Sequence, residues 1–202
     1  GRIIADDFGY QGYMPAADHS MLESEAAPEA QVMLVTDFQT SPALDYVAGE
    51  KNAWTRQIAL VKDAAPLGAN FFVIHDRLDR EDAAAIWRLW LTAERVSVMG
   101  SGADVTGKED VDTTIRFTQL PKDALIRTED VTRETWGLDE NARYGRTSST
   151  QTGLIASWES GGAMPAVVYP RLREEQPPAV TAIADGSGVK VESAAGIDYV
   201  FL

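Results

Sequence analysis

Apolar residues along this chain fall in short runs bounded by turn formers, and no segment carries a sustained helical stripe. The clearest runs are 54–62, 71–78 and 86–92, separated by 63–70, which holds Pro66, Gly68 and Asn70, and by the charged 79–82. Short segments rich in Val, Ile, Phe and Trp between Pro, Gly, Asn and Asp read as strands joined by turns. Positions 71–74 are apolar at every residue, which places that strand between two layers. Helical periodicity would also fit 86–91, but its two tryptophans and flanking strands favour a strand.

The remaining runs extend the pattern. Strands are expected at 2–7, 20–24, 31–38, 44–47, 95–99, 114–118, 124–128, 153–158, 166–169, 180–183, 189–192 and 199–201. Loops are expected at 10–15, 49–52 and 100–112, and 133–149 is polar with little readable period. Segments 153–158 and 166–169 look like a pair joined across 159–162. Segments 180–183 and 189–192 read as a hairpin around Asp185-Gly186-Ser187-Gly188. The expected fold is all-β: a two-layer antiparallel β-sandwich of about twelve to fourteen strands, with 1–202 forming one domain. Parallel α/β is disfavoured because the connecting segments lack helical periodicity.

Composition narrows the function. The 202 residues suffice for one core. With no cysteine, disulfides and thiolate metal sites are excluded. No run approaches the ~20 apolar residues of a membrane helix. The chain opens on Gly1-Arg2 with neither an initiator Met nor a basic leader, and is read as a mature or truncated piece of a longer protein. Its net charge of −13 disfavours nucleic acid and anionic membranes as partners.

Few residues offer chemistry. There are two histidines. His75 shares a strand face with Phe71 and Val73 and reads as a hydrogen-bonded inter-sheet residue. His19 lies in a polar loop. There is no G-x-S-x-G elbow, P-loop or G-x-G-x-x-G. The acidic pairs Asp6-Asp7, Glu109-Asp110 and Glu174-Glu175 read as solvated faces. Trp87 and Trp90 are three apart and so point to opposite faces of a strand, leaving one of them exposed. Arg143, Arg146, Arg171 and Arg173 balance the acidic surface.

The opening Gly1-Arg2-Ile3-Ile4-Ala5-Asp6-Asp7-Phe8-Gly9-Tyr10-Gln11-Gly12-Tyr13, followed by Asp18-His19-Ser20, resembles a segment of heparinase II/III-like polysaccharide lyases. There G-r-x-L-x-x-D-x-G-x-x-x-Y leads to a histidine, usually followed by Asn where this chain has Ser20. Leu44 to Gly49 looks like the family's D-Y-v-x-G step. Arg56 with Ile58 to Lys62, then Phe71 to Leu78, is similar to its paired R-x-v-x-f-v and y-f-v-v-x-D-x-v strands. Gly196 to Leu202 looks like its closing strand.

The resemblance implies the C-terminal β-sandwich of such an enzyme, without the N-terminal α/α-toroid that supplies Tyr, His and Asn for β-elimination of acidic, uronate-containing polysaccharide. It implies a non-catalytic role for this chain alone, with no catalytic residue of its own, in a periplasmic or extracellular protein. It also implies zinc, with Asp7 and His19 as ligands and an incomplete site here. The alternative is a free-standing carbohydrate-binding or adhesion sandwich, in which Tyr10, Tyr13, Trp136 or Tyr144 stack on sugar rings, or a purely structural module of a larger surface protein.

Overall fold

The strand Phe71–Leu78 feeds two cores at once. Phe71 and Val73 pack with Ala59, Val167, Val189, Val191 and Val200. Phe72, Ile74 and Leu78 point the other way, toward Trp87, Ile115, Phe117, Leu154 and Trp158. Side chains alternate across a strand, so this one lies in a middle layer, as its unbroken apolar pattern predicts.

The computed structural model describes residues 15–27, 33–65, 68–138, 141 and 143–202, with all of their side chains except those of 133, 135–138, 147 and 149. Fifteen strands are described: β1 Leu22–Glu23, β2 Leu34–Thr40, β3 Leu44–Lys51, β4 Trp54–Val61, β5 Phe71–Leu78, β6 Ala85–Leu91, β7 Ala93–Val98, β8 Gly102–Gly107, β9 Val111–Phe117, β10 Leu125–Leu138, β11 Tyr144–Trp158, β12 Gly162–Leu172, β13 Ala179–Ile183, β14 Gly188–Ser193 and β15 Gly196–Phe201. They form an eight-stranded sheet (β2-β3-β4-β5-β12-β9-β8-β7), a four-stranded sheet (β1-β6-β11-β10) and a three-stranded sheet (β13-β14-β15). Every pairing between these strands is antiparallel.

The expected all-β sandwich is present in the packing of the four-stranded sheet on the eight-stranded one around Trp87, Trp158, Ile115 and Met164. Trp87 and Phe117 meet edge to face across that core, with ring centroids 5.3 Å apart. The three-stranded sheet adds a further layer over the opposite face of β4, β5 and β12, where Phe71 stacks on Tyr169 at 5.5 Å.

Some local expectations change. The loop expected at 100–112 contains β8. The polar 133–149 lies largely within a β ribbon: β10 and β11 stay in register from Leu125↔Ser157 to Leu138↔Tyr144. Segments 153–158 and 166–169 do not pair. The first belongs to β11 beside β6 and the second to β12 between β5 and β9, so the connection crosses between layers. Among the described residues, no helix is long and apolar enough to cross a membrane. The strand expected at 2–7 lies outside the described residues.

Candidate functional site

The amino-terminal hook, residues 15–24, is the described part of the segment that carries the resemblance around His19. Its course is set by polar anchors from below. The carboxylate of Asp76, wholly buried on β5, accepts hydrogen bonds from the indole of Trp54 (2.7 Å), the indole of Trp87 (2.9 Å) and the guanidinium of Arg56 through both Nε (2.8 Å) and Nη2 (2.9 Å). Arg56 also lies 5.1 Å from the centre of the Trp54 ring. Its remaining Nη1 donates to the carbonyl of Ser20 at 3.0 Å. One buried charge pair thus ties the eight-stranded sheet to the four-stranded sheet through Trp87 and to the hook through Ser20. A buried charge is tolerable only when paired and hydrogen-bonded, and this one is saturated.

A second set of bonds fixes the hook to β6. The Trp90 backbone N–H donates to Ser20 Oγ (3.1 Å), the Trp90 indole donates to Ala17 O (3.0 Å), and the Arg88 N–H donates to Met21 O (2.9 Å). This overturns the expectation that Trp87 or Trp90 is exposed: their relative exposures are 1% and 3%. The two do point oppositely, but the hook covers the outer face on which Trp90 lies, and a tryptophan with a partner for its N–H is stable there.

His19 closes a single 3-10 turn, its N–H donating to Ala16 O (3.1 Å) and its carbonyl accepting from Met21 N–H (3.0 Å). Its imidazole is half-buried on a backbone held at Ala17, Ser20 and Met21. Asp7, Tyr10 and Tyr13 lie outside the described residues. Zinc closes a tetrahedron with about four N, S or O ligands, and no cluster of three or more His, Asp or Glu is present among the described residues. His19 supplies a suitable donor on a fixed turn, but the described residues do not by themselves make a zinc site. An open cleft of about 730 Å³ adjoins the hook, with Glu23, Glu25, Arg80, Asp82 and Glu159 on its walls.

Positions 136 and 144 share one face of the ribbon. On the β10–β11 ribbon, Trp136 is opposite Arg146 and Leu138 is opposite Tyr144, so positions 136 and 144 are diagonal neighbours on one face. Tyr144 is 73% exposed. Only 152–158 of β11 is supported by β6, so beyond Thr152 the ribbon continues as two strands.

His75 is the inter-sheet residue its strand face suggests. Its Nδ1 lies 3.0 Å from Gln57 Oε1, and Gln57 Nε2 donates to the Tyr46 hydroxyl at 2.8 Å. Desolvation by burial pushes its pKa below the usual histidine value; Asp76 opposes this and Arg77 adds to it.

Sequence reasoning missed the Arg56–Asp76 clamp, although both residues fall in the motif strands. The available signal was charge at a buried parity: Asp76 shares a face with Ile74 and Leu78, and Arg56 with Trp54 and Ile58.

No family model matches the sequence, and no curated protein matches it. By structure the chain is similar to the heparan sulfate lyase HepC from Pedobacter heparinus, with a TM-score of 0.61 at 13% identity, covering 100% of this chain and 35% of that one. A mutant of that lyase gives 0.62 at 12% identity with the same coverage. A heparinase III gene product gives 0.58 at 8% identity over 98% of this chain and 34% of its own. The chain spans about a third of the length of the structures it matches. At these identities the likeness establishes the architecture: a heparinase-like β-sandwich.

Proposed function

We propose that this chain is the β-sandwich domain of a heparinase II/III-like polysaccharide lyase. It supports elimination carried out elsewhere in the parent protein. The observation that carries the reading is the end-to-end structural match to about a third of HepC, joined to the way the Arg56–Asp76 clamp fixes the hook bearing His19. A domain with this role needs a rigid core and a fixed rim segment, and those are the features best built here. The parent's substrate class in this reading is an acidic, uronate-containing polysaccharide, as the neighbours' substrate suggests. Asp7 and His19 are the residues to test as zinc ligands, completed by groups from outside this chain. An exported, periplasmic or extracellular location goes with such a substrate.

The test is an elimination assay on the purified chain and on the full parent protein with uronate polysaccharides, read by the ultraviolet absorbance of unsaturated products. Product is expected from the parent only. Metal analysis of the parent and its His19→Ala variant tests the ligand assignment: loss of one zinc per chain supports it, and unchanged zinc contradicts it.

The β10–β11 ribbon favours a second reading, a carbohydrate-binding sandwich. Exposed Tyr144, on the same ribbon face as position 136, offers a ring for stacking. Glycan binding by the isolated chain that is lost in Tyr144→Ala would favour it.

A further inference from the structure

β2 is an unusual strand: all seven of its residues are exposed, yet Leu34, Val35 and Phe38 stand at 66%, 68% and 67% relative exposure. No residue of β2 belongs to either core. A β-bulge falls at Thr36, between the pairs Val35↔Gly49 and Asp37↔Ala48. Without it, Val35 and Phe38 would point to opposite faces. The bulge turns both onto the face shared by Gly49 and Val47.

That face belongs to a single cross-strand row. Phe38 is opposite Val47, Val47 opposite Ile58, Ile58 opposite Ile74, Ile74 opposite Ala166, and Ala166 opposite Phe117. The row starts in the main core, where Phe117 and Ala166 are 3% and 0% exposed. It passes through half-buried Ile74, Ile58 and Val47 and emerges at exposed Phe38. The hydrophobic core therefore runs out from under its cover with its composition unchanged. The bulge and Asp37 also protect the edge of β2 against strand addition, so the surface is suited to being covered on its face.

We infer that this row, from Phe38 to Ile58, is the docking face for the accompanying domain of the parent polypeptide, which would present an apolar surface to it. The inference rests on the reading under Proposed function, because this chain matches only 35% of the lyase it resembles, from end to end. An apolar face continuous with the core is where the remaining part of such a protein would gain most from contact.

The experiment places Phe38→Glu in this chain alone and in the full parent protein, and follows thermal unfolding, sedimentation and elimination activity. In the isolated chain the site is exposed, so the melting temperature is expected to stay unchanged. In the parent, the variant is expected to lower the melting temperature and to make the junction between the parts sensitive to protease. Equal melting behaviour of variant and wild type in the parent would overturn the inference, as would a parent frame that encodes no further domain. A dimer of the isolated chain that Phe38→Glu splits would assign the face to a second copy and overturn it too. A parent that is destabilised by Phe38→Glu yet eliminates no uronate polysaccharide would uphold the docking face and sink the lyase reading alone.

Discussion

Arg56 and Asp76 sit directly opposite one another on β4 and β5 and form a two-pronged ion pair, in which the carboxylate also accepts two indole N–H groups. Asp76 is 0% exposed and the Arg56 side chain 14%. The pair is far from solvent screening and touches both principal sheets and the hook.

Replacing one partner is therefore expected to be costly. Asp76→Asn leaves the Arg56 cation without its counter-charge and should destabilise by about 3–5 kcal/mol. For a chain of this size that lowers the melting temperature on the order of 10 °C. The double variant Arg56→Met with Asp76→Leu should lose less than Asp76→Asn, because no isolated charge remains. Urea unfolding of the three proteins checks the order; a double variant worse than the single one contradicts it.

Trp90 and Gly153 supply a packing test. They are register partners, and a Cβ at position 153 would stand 2.8 Å from Cζ3 of the Trp90 ring. Gly153→Ala should push that ring against the hook, costing about 1–3 kcal/mol as overpacking. Faster proteolysis near Ala17 and Ser20 should accompany the loss, as seen by mass spectrometry of early fragments.

The histidine at the inter-sheet boundary gives a pH dependence. The folded-state pKa of His75 lies below its usual 6.5, with burial as the leading cause. The unfolded chain then binds the proton more readily, so His75 favours folding fully above pH 6.5 and loses that contribution as pH falls toward the folded pKa. Stability should decline below pH 6.5, and His75→Gln should flatten that part of the profile. Every other group is common to both proteins, so the difference between the two profiles isolates His75.

The unsupported end of the β10–β11 ribbon should be the least protected of the long strands. Amides in 131–138 and 144–150 are expected to exchange faster than those of β5 and β12, because a two-stranded ribbon is marginal in water. Shortening the ribbon to a tight turn near Thr132 and Thr150 should leave the core melting transition nearly unchanged. Exchange as slow as in β5 would contradict a marginal ribbon.

Much of this architecture was legible in the sequence, and the exceptions have physical causes. The continuous apolar stretch at 71–74 correctly marked a middle strand because each parity there meets a core. β8 reads as a loop because it begins and ends in glycine. Those glycines are needed by the strand itself: a Cβ at Gly102 would lie 2.1 Å from Ile115 O and one at Gly107 1.9 Å from Val111 O. The ribbon escapes notice because 133–149 is polar, so no apolar period marks it. The clamp escapes because its partners are twenty residues apart and its strength comes from desolvation, which only the fold creates. His19 stood out as a rare imidazole, but the anchoring of its neighbours Ala17 and Ser20 by Trp90 and Arg56 is non-local.

The most direct test of the central claim compares this chain with its full parent protein in an elimination assay on uronate polysaccharides, heparan sulfate among them. The account predicts unsaturated uronate product from the parent and none from the chain alone. Product from the isolated chain would contradict the supporting role, and absence of product from an intact, folded parent across the substrate panel would contradict the assignment to a lyase.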